Sequence, residues 1–500
     1  MQKIKFIAVF FRSYPALFYA LFFLLGAGSY LYSAIFLYIF VFFIFLTILS
    51  LKNFKNIIFA ILTFIFAIFY TSFFYSDVKK IQKPVQAKGI FKIDAIKDGN
   101  NFNSRYYIYK GELKTCKTKR KKYKNIPISI FSKSKLSANF LYKIDGLLVP
   151  KNDFSFYLKK YKIQKDKKIV SFVNLRYILK KKFQSLLKKS IFDKDAANFL
   201  YTLTTGENAS SLLSYSFSKI GLQHVLAISG FHFSIFVLFF AFFLKLFIPK
   251  RYTYIILITI VTIYLLFVGP LISVQRAFIM IQMALIAPLI NRRYFALNAL
   301  GISMIIILLI NPINISKIGF QLSFLSSFAI LLAFPIIEKT LQKVITKRTY
   351  LEKQNLYPIS FFADKLLTYL REALSLCFTV TIFILPVILY HFHKFSYLSF
   401  IYNLFIPFLV GIAILLVMLG FILHFTLPPI GFVINWINTY FTKLILKLIT
   451  YPPASLEFYL RYKGISFEFV LIYLLIITIL FAAIRYYFDK KNIPEYFYYL

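Results

Sequence analysis

The chain has 500 residues, 59% of them hydrophobic and 20% aromatic, with a formal charge of +42. An ordinary soluble domain holds about 45–50% apolar residues, so this composition excludes a soluble globular fold. A lipid-embedded chain has no need of such charge; the excess faces water and polyanions, either nucleic acid or anionic headgroups.

Apolar runs at 14–31, 33–51 and 56–76 are predicted to cross a bilayer, where about 20 residues suffice. They make residues 1–76 a unit of three N-terminal transmembrane helices. Lys3, Lys5 and Arg12 precede the first run, the connection around Tyr30–Ser33 has no charge, and the next carries Lys52 and Lys55. Basic residues in short loops mark the cytoplasmic side. The N-terminus is therefore expected inside, and residue 77 outside. The long apolar reach and the further spans exclude a cleaved signal peptide.

Residues 77–170 contain no run of membrane length. Phe91, Ile93 and Ala95 share one face of an alternation, and Lys92 and Asp94 the other; Ile126, Ile128 and Ile130 repeat it. Asp98-Gly99-Asn100-Asn101 reads as a turn. This predicts a small extracytoplasmic β domain of about five strands. From Lys79 to Lys194 there are 32 Lys/Arg against 7 Asp/Glu. The loop-charge rule covers loops up to about 60 residues, so a basic domain of this length does not reverse the orientation. Phe102, Tyr106, Tyr107, Tyr109 and Tyr123 are interleaved with the basic residues. Bases stack on aromatic faces for about 1–3 kcal/mol each, whatever their sequence. Lys117, Lys119, Arg120, Lys121, Lys122, Tyr123 and Lys124 are the candidate DNA-binding residues. A β core with solubilising charge accounts for the same pattern without DNA.

In 171–202, Leu179, Phe183, Leu186 and Leu187 recur at helical spacing among Lys180, Lys181, Lys182, Lys188 and Lys189. This predicts an amphipathic membrane-surface helix region, serving as a lipid anchor or a DNA contact. Residues 203–500 form a transmembrane domain with spans at 224–248, 252–268, 271–290, 295–310, 313–336, 366–391, 396–424, 427–449 and 466–485. The stretch 427–449 reads either as a span or as an interfacial helix. Lys250-Arg251, Asn291-Arg292-Arg293, the polar stretch 338–364 and Asp489-Lys490-Lys491 are assigned to the cytoplasm, which puts the C-terminus inside. The fold class is thus a polytopic α-helical membrane protein of about 10–12 spans with an inserted small β domain.

The two cysteines, Cys116 and Cys377, fall in different regions and give no disulfide or zinc pattern. His391 and His393 have no third ligand nearby. Neither a metal nor any other cofactor is expected.

The stretch Gly221-Leu222-Gln223-His224-Val225-Leu226-Ala227-Ile228-Ser229-Gly230-Phe231-His232-Phe233 stands apart from a plain span. His224, Ser229, Gly230 and His232 occupy positions where lipid favours Leu or Ile. Polar groups at membrane depth are costly and face protein or a hydrated cavity. Broken helices are tolerated where they line one. Ser273 and Arg276 share a helical face in a later span. Gln321, Ser323 and Asn403 interrupt three further apolar stretches. Each of these residues reads either as helix–helix hydrogen bonding or as the lining of a path; for Arg276 the other reading is a side chain reaching the outer headgroups.

Four ordered stretches resemble the ComEC family of membrane channel proteins of natural transformation. The stretch from Gly221 is similar to that family's Gly-Leu-x-His-Leu-Leu-Ala-Ile-Ser-Gly-Leu-His signature. Ser273 to Met280 resembles its Ser-x-x-Arg-Ala-x-x-Met. Asn311-Pro312 followed by Gly319-Phe320-Gln321-Leu322-Ser323-Phe324 resembles its Asn-Pro…Gly-Phe-Gln-Leu-Ser-Phe, and Asn403 to Pro407 its Asn-Leu-x-x-Pro. Lys317 departs from the family's Asp, and Glu207 stands where the family has Gly-Asp or Gly-Glu. The resemblance implies an OB-like fold for the β domain and a competence channel domain over 203–500. It implies single-stranded DNA as cargo and a multi-pass place in the bacterial inner membrane. Implied partners are an outer DNA receptor, pilus-like uptake machinery, a cytosolic helicase-like ATPase or strand-binding proteins, and a separate nuclease.

Long family members carry a C-terminal metallo-β-lactamase-like domain. No His-x-His-x-Asp-His pattern, Walker A loop or Gly-x-Ser-x-Gly elbow occurs here. The sequence stops at Leu500, about 15 residues after its last predicted span, so that domain and any enzyme activity are expected to be absent. Two other readings stand beside the channel. One is a transporter or enzyme using His224, His232 and Arg276 on an anionic lipid-linked or small substrate. The other is a non-catalytic assembly scaffold.

Overall fold

A computed structural model describes residues 5–32, 36–41, 54–75, 81, 83–101, 104–118, 122–152, 155–208, 210–346, 348, 352, 357–453, 458–462 and 464–492. Helices α1 (Lys5–Ser13), α2 (Pro15–Leu31) and α3 (Phe54–Tyr75) open the chain. Gly26 lets α2 and α3 touch: a Cβ there would stand 2.4 Å from the Phe64 carbonyl oxygen. The expected span at 33–51 lies outside the described residues apart from the helical 36–41.

Five strands follow: β1 (Val85–Asn101), β2 (Ser104–Thr118), β3 (Lys122–Ser132), β4 (Phe140–Asn152) and β5 (Ser155–Lys168). They close into a barrel in the order β1-β2-β3-β5-β4, with β3 and β5 parallel and the other pairs antiparallel. Phe91, Ile93, Ile126, Ile128 and Ile130 point into its core, as the alternation predicts. Ala95 does not share that inward face. A register shift between Ile93 and Ala95 adds a residue, so Ile96 takes the next buried place. One inserted residue reverses every later position of a two-residue period. The turn expected at Asp98–Asn101 also falls later, because β1 stays paired with β2 through Asn101 and Ser104.

Helix α4 (Phe172–Ser190) is a strut between the barrel and the helical domain. On one face Val173 and Tyr177 join the barrel core, Tyr177 Oη donates to Asp98 at 2.8 Å, and Lys181 pairs with Asp98. On the other, Arg176 Nε donates to the Leu266 carbonyl at 2.8 Å. Lys180, 3% exposed, donates to Glu207 and to the Val268 carbonyl at 2.8 Å, and to the Thr205 carbonyl at 3.3 Å. Burial pulls its ammonium below the usual lysine value. Helix α5 (Lys194–Thr205) is buried along nearly its whole length.

The remaining helices are α6 (Ser211–Lys219), α7 (Gln223–Leu226), α8 (Gly230–Phe247), α9 (Lys250–Val268), α10 (Ile272–Leu289), α11 (Ala296–Ile310), α12 (Ile318–Leu341), α13 (Pro358–Phe392), α14 (Leu398–Thr426), α15 (Pro428–Thr450) and α16 (Phe467–Asn492). A 3-10 turn, Pro312–Ser316, joins α11 to α12 and places Ile313 in the barrel core. The short strands β6 (Lys394–Ser396) and β7 (Tyr459–Arg461) pair antiparallel. Among the described residues eight helices are long and apolar enough to cross a membrane. The expected ten to twelve also included α2 and α11, which are apolar but shorter, and the less apolar α15. Helix α15 runs back along α14: Gly420 meets Asn435 near one end, and Tyr402 Oη donates to the Leu448 carbonyl near the other.

Helix α16 repairs two defects made by proline. Pro335 in α12 and Pro386 in α13 have no N–H for the carbonyl four residues earlier. Those carbonyls, Leu331 and Ile382, accept from Arg485 and from Tyr473 Oη instead. In hydrocarbon an unpaired carbonyl costs several kcal/mol, so each donor is worth a polar residue at membrane depth.

Candidate functional site

Five helices form a closed ring. Each of α8, α10, α12, α13 and α14 packs on the next, and α14 packs back on α8. A polar link lies at every joint, carried at the two joints of α8 by the broken segment just ahead of that helix, and eight of the nine candidate path residues take part in these links or sit against one.

The α8–α10 joint is the helix break itself. The run that the sequence presents as one span divides into α7, an extended link, and α8. Ser229 caps α8 by accepting from the Phe231 N–H at 3.2 Å, and the Ser229 N–H donates to His232 Nδ1 at 3.3 Å. The break also frees the Ile228 carbonyl, which accepts from Ser273 Oγ on α10 at 2.7 Å. His232 is buried and its Nε2 has no hydrogen-bond partner. It lines an apolar crevice of about 230 Å³ with Phe236, Tyr264 and Met418.

At the α10–α12 joint, Arg276 Nη1 donates to the Ser323 carbonyl at 2.6 Å. Arg276 is 7% exposed, so it is held by protein rather than by outer headgroups. Gly230 makes room for it: a Cβ there would lie 3.2 Å from Arg276 Nη2. At the α12–α13 joint, Gln321 Oε1 lies 2.8 Å from His391 Nε2, and Gln321 Nε2 donates to the Ile315 carbonyl at 3.0 Å. At the α13–α14 joint, Tyr369 Oη donates to the Leu404 carbonyl. The last joint is His224 Nε2 on α7, 3.2 Å from Asn403 Oδ1 on α14. His224 is exposed, as are Gln223, Ala227 and Phe231 on the same broken segment.

Gly230, Arg276 and Ser323 thus meet at one joint, His224 meets Asn403 at another, Ser273 and Gln321 reach Ile228 and His391 at two more, and Ser229 and His232 form the cap of α8. Sequence reasoning passed over His391 and Tyr369. His391 drew notice only as a metal ligand, because its partner Gln321 is 70 residues away. Among the described residues no cluster of three His, Cys, Asp or Glu suits a metal ion.

The barrel is seated at the end of the ring where α12 begins, since the 3-10 turn runs from its core directly into that helix. Lys317 caps this point and donates to Asn314 Oδ1 at 2.8 Å. Glu207, next to the signature, pairs with Lys180 and accepts from Tyr201 Oη at 3.0 Å. Of the basic stretch, Lys117 and Lys124 are exposed near the ends of β2 and β3, while Tyr123 packs against the barrel core. Lys119, Arg120, Lys121 and the side chain of Lys122 lie outside the described residues.

The profile of a family described as Competence protein matches residues 203–486, more than half of the chain. Over 254 residues, half of this chain, the sequence is 29% identical to ComE operon protein 3 of Bacillus subtilis (strain 168). The match spans 27% of that relative's length. No solved structure matches. The matched region contains the broken helix and all five joints of the ring, and the chain belongs to the Competence protein family.

Proposed function

We propose that the chain is a channel that admits single-stranded DNA to the cytoplasm during natural transformation, with the basic barrel collecting DNA on the outer face. A strand carries a charge on every phosphate and needs a hydrated, protein-lined way through hydrocarbon. The observation that carries this reading is the closed ring of helices with a polar link at every joint and an exposed break at His224. The barrel, five strands in a closed order with a parallel β3–β5 pair, fits an OB-like domain, a class that binds oligonucleotides. Its exposed lysines, Lys114, Lys117, Lys124, Lys151, Lys159 and Lys162 among them, supply phosphate contacts without sequence preference. The name of the Bacillus relative and the family description agree with a role in competence.

The test follows labelled DNA into cells that lack the chromosomal copy and carry variants on a plasmid. Arg276→Leu cuts the α10–α12 link and removes a buried fixed charge. It should leave DNA outside the cytosol while the protein stays in the membrane at wild-type level. Arg276→Lys keeps the charge without the guanidinium fork and should restore part of the uptake. Normal cytosolic uptake in the deletion strain, or in Arg276→Leu, would sink the reading.

A further inference from the structure

His232 holds a polar atom that the links of the ring leave unused. Its Nδ1 accepts from the Ser229 N–H at 3.3 Å, so the proton of the neutral imidazole sits on Nε2. Among the described residues nothing pairs with that Nε2–H, and His232 is 4% exposed. Because Nδ1 turns back to the cap of α8, Nε2 is the edge that the imidazole presents to the apolar crevice of about 230 Å³. The other polar side chains there are engaged. Tyr264 Oη donates to the Thr204 carbonyl at 3.1 Å, and Thr204 Oγ1 donates to the Leu200 carbonyl at 2.8 Å. A buried donor without an acceptor is costly. The place therefore fits a ligand with one oxygen for Nε2–H and hydrocarbon for the rest.

The crevice lies against the α8–α14 joint, and its other walls come from α4, α5 and α9, none of them part of the ring. Helices α8, α9 and α14 are each long and apolar enough to cross a membrane, and Ile422 on the rim is 40% exposed. A second apolar crevice, of about 490 Å³, shares Phe236, Phe240, Tyr264 and Phe267 with the first and reaches the exposed Leu175 and Ile263. The medium that meets such rims inside a bilayer is lipid. A cavity of about 150 Å³ already holds benzene, so the first crevice admits a stretch of one acyl chain. We infer that the crevice is a lipid site in which the ester carbonyl of one phospholipid chain accepts from His232 Nε2. The chain runs on past Phe236 and Phe240. Since Nδ1 of the same imidazole caps α8, an occupied site holds the side chain by both edges and steadies the helix break. The inference is independent of the strand-import reading and gives the signature stretch a lipid partner.

The test uses the full chain, labelled with nitrogen-15 at histidine, in nanodiscs of phosphatidylcholine enriched in carbon-13 at its ester carbonyls. The chain has 5 histidines, and His232→Phe assigns the His232 Nε2–H by its loss from the magnetic resonance spectrum. Magnetisation should pass from that proton to the lipid carbonyl. Its signal should lie at least one part per million downfield of its position in dialkyl-ether phosphatidylcholine, which lacks the carbonyls. Met418→Trp fills the crevice and should abolish the transfer, while unmoved signals from the other histidines show that the chain is folded. The ester–ether comparison uses the unaltered chain and decides the matter even where that variant misfolds. If the His232 proton exchanges magnetisation with water instead, a buried water is its partner and the inference falls. Equal shifts in ester and ether lipid, or a transfer that survives Met418→Trp, also overturn it.

Discussion

The ion pair between Lys180 and Glu207 fixes the strut α4 to the helical domain, and its removal has a calculable cost. Lys180 Nζ spends its donors on Glu207, Val268 and Thr205, and its side chain is 4% exposed against 24% for Glu207. Glu207→Gln keeps the shape and deletes the compensating charge. A buried charge left without its partner costs about 3–5 kcal/mol. Lys180→Met deletes the charge itself and leaves Glu207 with Tyr201 and some water, a loss of about 1–3 kcal/mol. Combining the two removes both charges and should recover stability relative to Glu207→Gln alone. With roughly 2.1 cal/mol/K of unfolding entropy per residue over about 300 residues, the Glu207→Gln penalty lowers the Tm by about 5–8 °C. The two cysteines allow the measurement, because Cys377 is buried on α13 and Cys116 inside the barrel. In a Cys116→Ala background, a maleimide dye that fluoresces on reacting with Cys377 reports unfolding of the helical domain in detergent. A Tm for Glu207→Gln within 1 °C of the parent refutes the argument, and so does a double variant whose losses simply add.

Two further outcomes follow from buried groups elsewhere. Burial in the barrel raises the Cys116 thiol from 9.0 to about 11, so above pH 9 the unfolded chain loses a proton that the folded barrel keeps. Barrel stability should therefore fall between pH 9 and pH 11 by at most ~3 kcal/mol from this group, and Cys116→Ala should remove that part of the slope in denaturant titrations. Arg485→Leu strands the Leu331 carbonyl and should cost about 1–3 kcal/mol, which Pro335→Ala should largely cancel by returning a backbone donor; thermal unfolding of the four-variant cycle checks it.

The sequence made some of this legible because two physical signals are local. Alternation marked the β domain, and polar residues inside apolar runs marked four of the five joints, the exception being the bond of Tyr369 to Leu404. Local signals fail where the partner is distant. The alternation from Phe91 could not reveal the shift that turns Ile96 inward, because a bulge is set by pairing with β2. The lysines of α4 look alike in sequence, yet Lys180 alone among them is buried, since only the fold brings Glu207 and the Val268 carbonyl to it. Gln321 announced itself as a polar intruder, but nothing near it named His391. The order of the barrel strands, and above all the parallel pairing of β3 with β5, has no local signature.

The distribution of polar links has an energetic consequence. Inside hydrocarbon, helices gain nothing from the hydrophobic effect when they meet, so packing and hydrogen bonds decide which helices stay together. Links of this kind are worth only about 0.6–2 kcal/mol each in membrane proteins. The five joints of the ring hold mostly one or two such bonds: Ser273 to Ile228, Arg276 to Ser323, Gln321 to His391, Tyr369 to Leu404, and His224 to Asn403. The α12–α13–α16 side is built differently. There Arg485 and Tyr473 pair with carbonyls that proline has already stripped of a donor, so parting α16 from either helix exposes an orphan inside the membrane. Two walls of the ring, α12 and α13, are thus clamped together from outside by α16. The α8–α10 and α14–α8 joints lack that clamp and end on the broken segment, where Ser229, Gly230 and His224 already interrupt the helix. Those two joints are the ones whose polar links, Ser273 to Ile228 and His224 to Asn403, rest on the broken segment ahead of α8 rather than on α8 itself.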